Sequence, residues 1–267
     1  PFTASAVFNL FNIIRSIKVM KKKVIYKIIF AVSCTVFIIC TLLLIKMYLP
    51  ENSHREEYTN SVSDVSNTTL PNNPINFNKL QSINQDVYAW IKIPGTQIDY
   101  AVVQASSDKD DSFYLNRDIN GNYKFAGMIF SQRKNSLDFS DPVTVLYGHN
   151  MKNGSMFNNL HKFEDKDFFD KHDTIYIYTP GHIYKYTIVS AYVYDDRHIL
   201  NTFDFSNKKD RKEYINSVTN PHSFISNVRD NISVTENDKI LTLSTCTSND
   251  SQRYLVQGVF TNDTITE

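Results

Sequence analysis

The hydrophobic pattern of the chain changes three times between its ends. Residues 28–45, IIFAVSCTVFIICTLLLI, are eighteen positions without a charge. Residues 51–76, ENSHREEYTNSVSDVSNTTLPNNPIN, are polar, rich in Ser, Asn and Thr, and carry two prolines. From Phe77 onward, short apolar runs alternate with turn residues to the end. The first pattern predicts a helix crossing a bilayer. At about 1.5 Å of rise per residue the run approaches the roughly 30 Å hydrocarbon core, and a helix pairs its own backbone groups there. The flanking residues 24–26 and 47–49 extend it. The second pattern predicts a stalk, with too little apolar surface to offset the entropy of ordering it. The third predicts one folded domain of about 190 residues, long enough to bury a sizeable core.

Within that domain most runs read as strands. IDYAVVQ, GMIF, PVTVLY, TIYIYT, IYKYTIVSAYVY, KILTLST and RYLVQGVF are rich in Val, Ile, Tyr and Phe and are bounded by turn residues. TPGH between two of them signals a hairpin, and RDINGNY a turn-rich loop. Helical spacing appears in NFNKLQSINQDVYAWI, with apolar Phe77, Leu80, Ile83, Val87 and Trp90. SMFNNLHKFEDKDFFDKH and SNKKDRKEYINSV are the other helical stretches, the latter with Ser206 as its expected cap. A sheet of about seven or eight strands closing into a barrel, with peripheral helices, is the expected architecture.

Charge changes the picture at the N-terminus only. The chain has no formal net charge, which gives no basic signal for nucleic acid, and none is expected as a partner. Arg15, Lys18, Lys21, Lys22, Lys23 and Lys27 cluster at the start of the apolar run, whereas PENSHREEY follows it. The positive-inside bias therefore predicts a cytoplasmic segment 1–23, a membrane signal-anchor 24–49, a stalk 50–76 and an extracellular domain 77–267. A cleaved secretory leader is the rival reading, but the run exceeds an ordinary signal core and no small-x-small site follows it. Met20 is the expected natural start, with residues 1–19 upstream of it.

The cysteines follow from this layout. Cys34 and Cys40 fall inside the predicted span, so the external part holds Cys246 alone and can form no internal disulfide. A leftover cysteine in an exported protein is a reactive thiol or an intermolecular cross-link, or it simply packs. Strand alternation puts Cys246 on one face with Ile240, Thr242 and Ser244, at the lip of the run ILTLSTC. A thiol nucleophile needs a base partner and a group that stabilises oxyanion charge. Of seven histidines, His149 alone ends an apolar strand, in VTVLYGHN, where glycine allows a sharp turn. His161 and His172 lie in charged helical stretches and His182 in a hairpin turn. Arg253 opens the next strand, seven residues after the cysteine, and its fork of five donors suits a developing oxyanion. Each of the three alone has an ordinary alternative: a packed thiol, a turn histidine, a surface arginine. The acidic runs 108–112 and 164–167 lack a metal-loop pattern, no Cys/His spacing suits zinc, and no cofactor is expected.

TLSTC resembles the Thr-Leu-x-Thr-Cys signature of sortases, membrane-anchored cysteine transpeptidases of Gram-positive surfaces. LYGHN is similar to their histidine motif, and the arginine opening the following strand completes the set in the family's order. NQDVYAWIKIPGTQIDYAVVQ and FYLNRDINGNYKFAGMIF, with a helical pattern inside the long connection before ILTLSTC, resemble class B. The resemblance implies an eight-stranded sortase barrel with an N-terminal helix and a helix between its sixth and seventh strands. It implies that Cys246, as thiolate, attacks a threonine carbonyl in a C-terminal sorting motif. His149 would serve as acid and base, and Arg253 would hold the motif and the oxyanion. Ser244 and Thr245 would line the substrate groove. The implied partners are secreted proteins bearing the motif, peptidoglycan or its lipid-linked precursor, and the membrane through the N-terminal helix. A pilin-polymerising sortase, an anchored cysteine protease and a silent wall-binding module are the alternatives. Dependence of turnover on an added amine separates transpeptidase from protease, and indifference to Cys246→Ala would mark the silent module.

Overall fold

The computed structural model describes residues 27, 30–39, 41, 70–249 and 251–267. The chain divides into two units, Pro1–Leu49 and Pro50–Glu267. In the first, residues 30–39 are helical, and Phe30, Val32, Val36, Phe37, Ile38 and Ile39 are exposed to solvent. No helix among the described residues is long and apolar enough to cross a membrane. Much of the expected span 24–49, all of the expected cytoplasmic segment 1–23 and the stalk up to residue 69 lie outside the described residues.

The described residues of the second unit form nine strands: β1 (Val87–Lys92), β2 (Asp99–Gln104), β3 (Ile129–Ser131), β4 (Val143–Tyr147), β5 (Thr174–Thr179), β6 (His182–Asp195), β7 (Ser226–Val228), β8 (Ile240–Cys246) and β9 (Gln252–Ile265). They pair in the order β5-β1-β2-β3-β4-β8-β9-β6, and β6 also pairs with β5, so eight strands close into a barrel. The three-residue β7 adds to the free half of β6 at Ser190–Tyr192 and stands outside that ring. Closure removes the open edges that a flat sheet would leave. The interior holds Ile91, Ile98, Val102, Leu146, Ile177, Leu241, Leu243, Tyr254 and Val256, all fully enclosed. The hairpin expected at TPGH joins β5 to β6, with Thr179 facing His182.

Two expectations about helices are corrected. The helical spacing over residues 76–91 continues only through α1 (Phe77–Ile83). Asn84 ends it by bonding Tyr114 Oη and the Ile119 carbonyl, and Val87–Lys92 then runs as a strand. Val87, Tyr88, Ala89 and Ile91 are all buried, so this strand is covered on both faces. A strand without polar alternation imitates a helical stripe. The stretch 155–172 forms a 3-10 helix, Asn158–Glu164, and α2 (Lys166–Lys171). In the connection between β6 and β7 lie α3 (Ile199–Thr202) and α4 (Lys208–Thr219). The cap of α4 is Asn207, whose side chain accepts from Lys209 N; Ser206 instead donates to Asp204 at 2.6 Å. The domain's packing begins before Phe77. Asn73 Nδ2 donates to the Thr179 carbonyl at 2.9 Å, and Ile75 packs against the Phe77–Leu80–Phe130 cluster.

Candidate active site

The site is a consequence of register. β4 and β8 are parallel, with Val143 beside Ile240, Val145 beside Thr242 and Tyr147 beside Ser244. β9 is antiparallel to β8, with Val259 beside Ile240, Gln257 beside Thr242, Leu255 beside Ser244 and Arg253 beside Cys246. These residues share the outer face of the barrel, because strand neighbours at paired positions point the same way. Continuing the β4 register by two residues brings His149 level with Cys246. His149, Cys246 and Arg253 thus end three adjacent strands on one face, with the cysteine in the middle.

The ladder also says how close Cys246 and Arg253 approach. Gly148 N donates to the Ser244 carbonyl at 3.2 Å, so Ser244 and, two residues on, Cys246 direct their backbone groups toward β4. Cys246 and Arg253 are therefore a non-hydrogen-bonded pair of the antiparallel ladder, the type whose side chains stand closest. Cys246 is a free, exposed thiol, which removes simple packing as the reason for its position. Arg253 is partly buried and donates from Nη1 to the Gln252 carbonyl at 2.8 Å.

His149 is held from the other side. Its Nε2 lies 2.8 Å from the Leu115 carbonyl oxygen, to which it donates, leaving Nδ1 for a reacting group. Phe125 stacks on the ring at 5.5 Å. Leu115 belongs to a 3-10 turn, Phe113–Asn116, against which the chain presses at Gly127. A Cβ at Gly127 would come within 2.3 Å of the Leu115 oxygen, and its φ of +57° suits glycine. Gly148 does the same service on β4, where a Cβ would come within 2.5 Å of Ile129 Cδ1 and 2.8 Å of the Phe157 ring. Thr245 faces the interior, 2% exposed, and its hydroxyl donates to the Gly148 carbonyl at 2.8 Å. Ser244 is on the cysteine's face and is 5% exposed.

Several site residues escaped the sequence. Asn150 Nδ2 donates to the Cys246 carbonyl at 2.9 Å, and His161 Nε2 lies 3.1 Å from the same oxygen and 3.0 Å from Asn150 Nδ2. Asn150 stands next to His149 in LYGHN, a signal that proximity alone could have supplied. His161 had no such signal, because the oxygen it lies against is a main-chain one eighty-five residues away. Among the described residues no group of three or more His, Cys, Asp or Glu side chains could hold a metal ion.

Comparison with known proteins agrees with this fold. The family model of the sortase domain matches residues 91–261. Sortase B of Listeria monocytogenes is 34% identical over 226 residues, 80% of this chain and 88% of that protein. The crystal structure of Clostridium perfringens sortase B superposes with a TM-score of 0.63 at 34% identity, covering 70% of this chain and all of that one. A Staphylococcus aureus sortase B–substrate complex superposes with a TM-score of 0.61 at 30% identity, covering 70% and 84%. The chain belongs to the sortase family, in class B, and is a cysteine transpeptidase.

Proposed function

We propose that Cys246 is the nucleophile, His149 the general acid and base, and Arg253 the oxyanion-binding residue of a reaction that joins secreted proteins to peptidoglycan. The Cys246 thiolate attacks the carbonyl carbon of the threonine in a C-terminal sorting motif, and the carbonyl oxygen takes up the negative charge. Arg253 bonds that oxygen together with a backbone N–H. As the tetrahedral intermediate collapses, the bond to the next residue breaks and the leaving amine takes a proton from His149. The thioacyl-enzyme is then attacked by an amine of peptidoglycan or its lipid-linked precursor. His149 accepts that amine's proton, an amide forms, and Cys246 is released as the thiolate, ready for the next cycle. The observation that carries this reading is the shared register of the three residues on β4, β8 and β9. Ser244 and Thr245, expected in the groove, support it from beneath: Ser244 lies buried one layer below Cys246 on its face, and Thr245 holds the Gly148 turn.

The chain is a single-pass membrane protein with its catalytic domain (77–267) outside, the segment 24–49 as anchor and 50–76 as stalk. The exposed apolar side chains of the helix at 30–39 support this, since lipid would cover them where water does not. Tethering concentrates the enzyme at the membrane face that both substrates cross. The test is a sorting-peptide library presented to the full chain, with and without added amine nucleophile. Cleavage after threonine, accelerated by the amine and absent in Cys246→Ala, is expected. Cleavage retained in Cys246→Ala would overturn the assignment.

A further inference from the structure

The carbonyl of Cys246 has more polar neighbours than its position in the ladder requires. In a parallel pair each carbonyl takes one N–H from the neighbouring strand, as Ser244 does from Gly148. Two residues on, the chain leaving β4 has turned away, and the Asn150 side chain supplies the missing donor at 2.9 Å. Its Oδ1 is fixed in turn by Asn158 Nδ2 at 2.7 Å. That would suffice as a cap. A second group, His161 Nε2, nevertheless lies 3.1 Å from the same oxygen and 3.0 Å from Asn150 Nδ2. With Nδ1 given to Glu164, it accepts the second Nδ2 proton of Asn150 and so holds that amide on the carbonyl. The ring is oriented from behind, with Nδ1 2.6 Å from Glu164 Oε1 and its face stacked on Tyr254 at 4.9 Å. Tyr254 directly follows Arg253, so the same stack ties the ring to the strand that carries the arginine.

We propose that His161, oriented by Glu164, is a positioning residue for acyl transfer, which with Asn150 fixes the Cys246–Thr247 peptide plane. The inference rests on the reading of Cys246 as nucleophile. Cys246 is the last residue of β8, and the chain beyond it has left the ladder. Without an external clamp its last peptide plane could rotate. A trans peptide is planar, so holding the carbonyl toward β4 holds the Thr247 N–H in the opposite direction, toward β9 and Arg253. The clamp thereby aims a backbone donor at the side where the oxyanion forms and keeps the direction of the cysteine side chain. Its contribution belongs to the transition state, when charge develops on the substrate oxygen, and not to ground-state binding.

The test uses the full chain and the peptide selected by the library screen. In His161→Leu we expect kcat to fall about tenfold or more, approaching the roughly hundredfold that a misplacement of about 1 Å costs. KM is expected to stay near the wild-type value. His161→Gln, whose amide keeps an acceptor at similar reach, restores kcat, whereas His161→Asn, one methylene shorter, does not. A His161→Leu enzyme with wild-type kcat overturns the proposal. Should that variant fail to fold, equal kcat values in His161→Gln and His161→Asn overturn it instead. Cys246→Ala, run alongside, separates the two claims. Activity there would sink the nucleophile, while an inactive Cys246→Ala with a fully active His161→Leu would sink the positioning role alone.

Discussion

The outer face of β4, β8 and β9 has two ends that differ in chemistry while sharing strands and register. At one end Val143, Ile240 and Val259 pack beneath α4, against Ile215 and Val218. One layer along, the face turns polar without becoming reactive. Thr242 Oγ1 donates to Gln257 Oε1 at 2.6 Å, Tyr214 Oη meets Thr242 at 2.7 Å, and Gln257 Nε2 donates to Tyr192 Oη at 3.2 Å. Each polar group there is used by another, and the layer is fully buried. Two layers further the cover stops, and Cys246 stands exposed between His149 and Arg253. Polar content is thus not what distinguishes the site, since both layers have it. What distinguishes it is where the connection between β6 and β7 stops covering the strands.

Substitutions at the two ends should therefore fail in different ways. Cys246→Ala is expected to lower turnover by about 10⁴-fold or more, the scale for loss of a nucleophile. It should leave unfolding free energy within about 0.5 kcal/mol, as for other exposed positions. Parallel kinetics and urea titration check both, and a large loss of stability would mean the open end carries packing after all. Tyr214→Ala, at the covered end, should do the reverse. It removes a fully buried ring and orphans Thr242 and Gln257, costing about 3–5 kcal/mol. Turnover per folded molecule should be preserved. Gly148→Ala should blur the distinction, because the added methyl meets Ile129 and Phe157 at the base of the His149 turn. An overpacking cost of about 1–3 kcal/mol is expected together with a fall in kcat. A loss of stability with unchanged kcat would show that the turn is not what aims His149.

The strands of this face were legible in the sequence because each is a short apolar run with a turn at both ends, and β8 reads directly from KILTLST. The proposed trio could be picked out in a weaker sense: each member stood at a strand end, and the resemblance supplied the order. Their meeting depends on the parallel pairing of β4 with β8, a contact between segments about a hundred residues apart that no local pattern encodes. Val87–Lys92 was misread for the opposite reason, since burial on both faces erased the alternation that marks a strand. His161 read only as a histidine in a charged helical stretch. Its charged neighbour Glu164 is in fact what turns it inward, onto a carbonyl that has no side-chain signature.

The smallest test concerns the layer between the two ends, where Tyr147 stands beside Ser244. His198, which precedes α3, brings its ring within 6.1 Å of the Tyr147 ring. Burial pushes the His198 imidazole below its ordinary value, and the Lys134 charge adds to this, against a backbone hydrogen bond and Asp111 that act the other way. A histidine held low in the folded state binds its proton more readily when unfolded. Its contribution to stability is therefore complete above the unfolded value of 6.5 and is lost as pH falls through 6.5 toward the folded value. Urea titrations of wild type and His198→Gln at pH 8, 7, 6 and 5 should show this as a difference between the two proteins. Relative to the variant, wild type should weaken below neutrality and hold constant above it. Kinetics on the same samples should show no matching change in kcat, because the ring packs against Tyr147, which is level with Ser244 and one layer below Cys246. A pH-independent difference would mean that the connection already admits water at Tyr147, and the boundary between covered and open ends would then lie one layer deeper than the burial of Ser244 indicates.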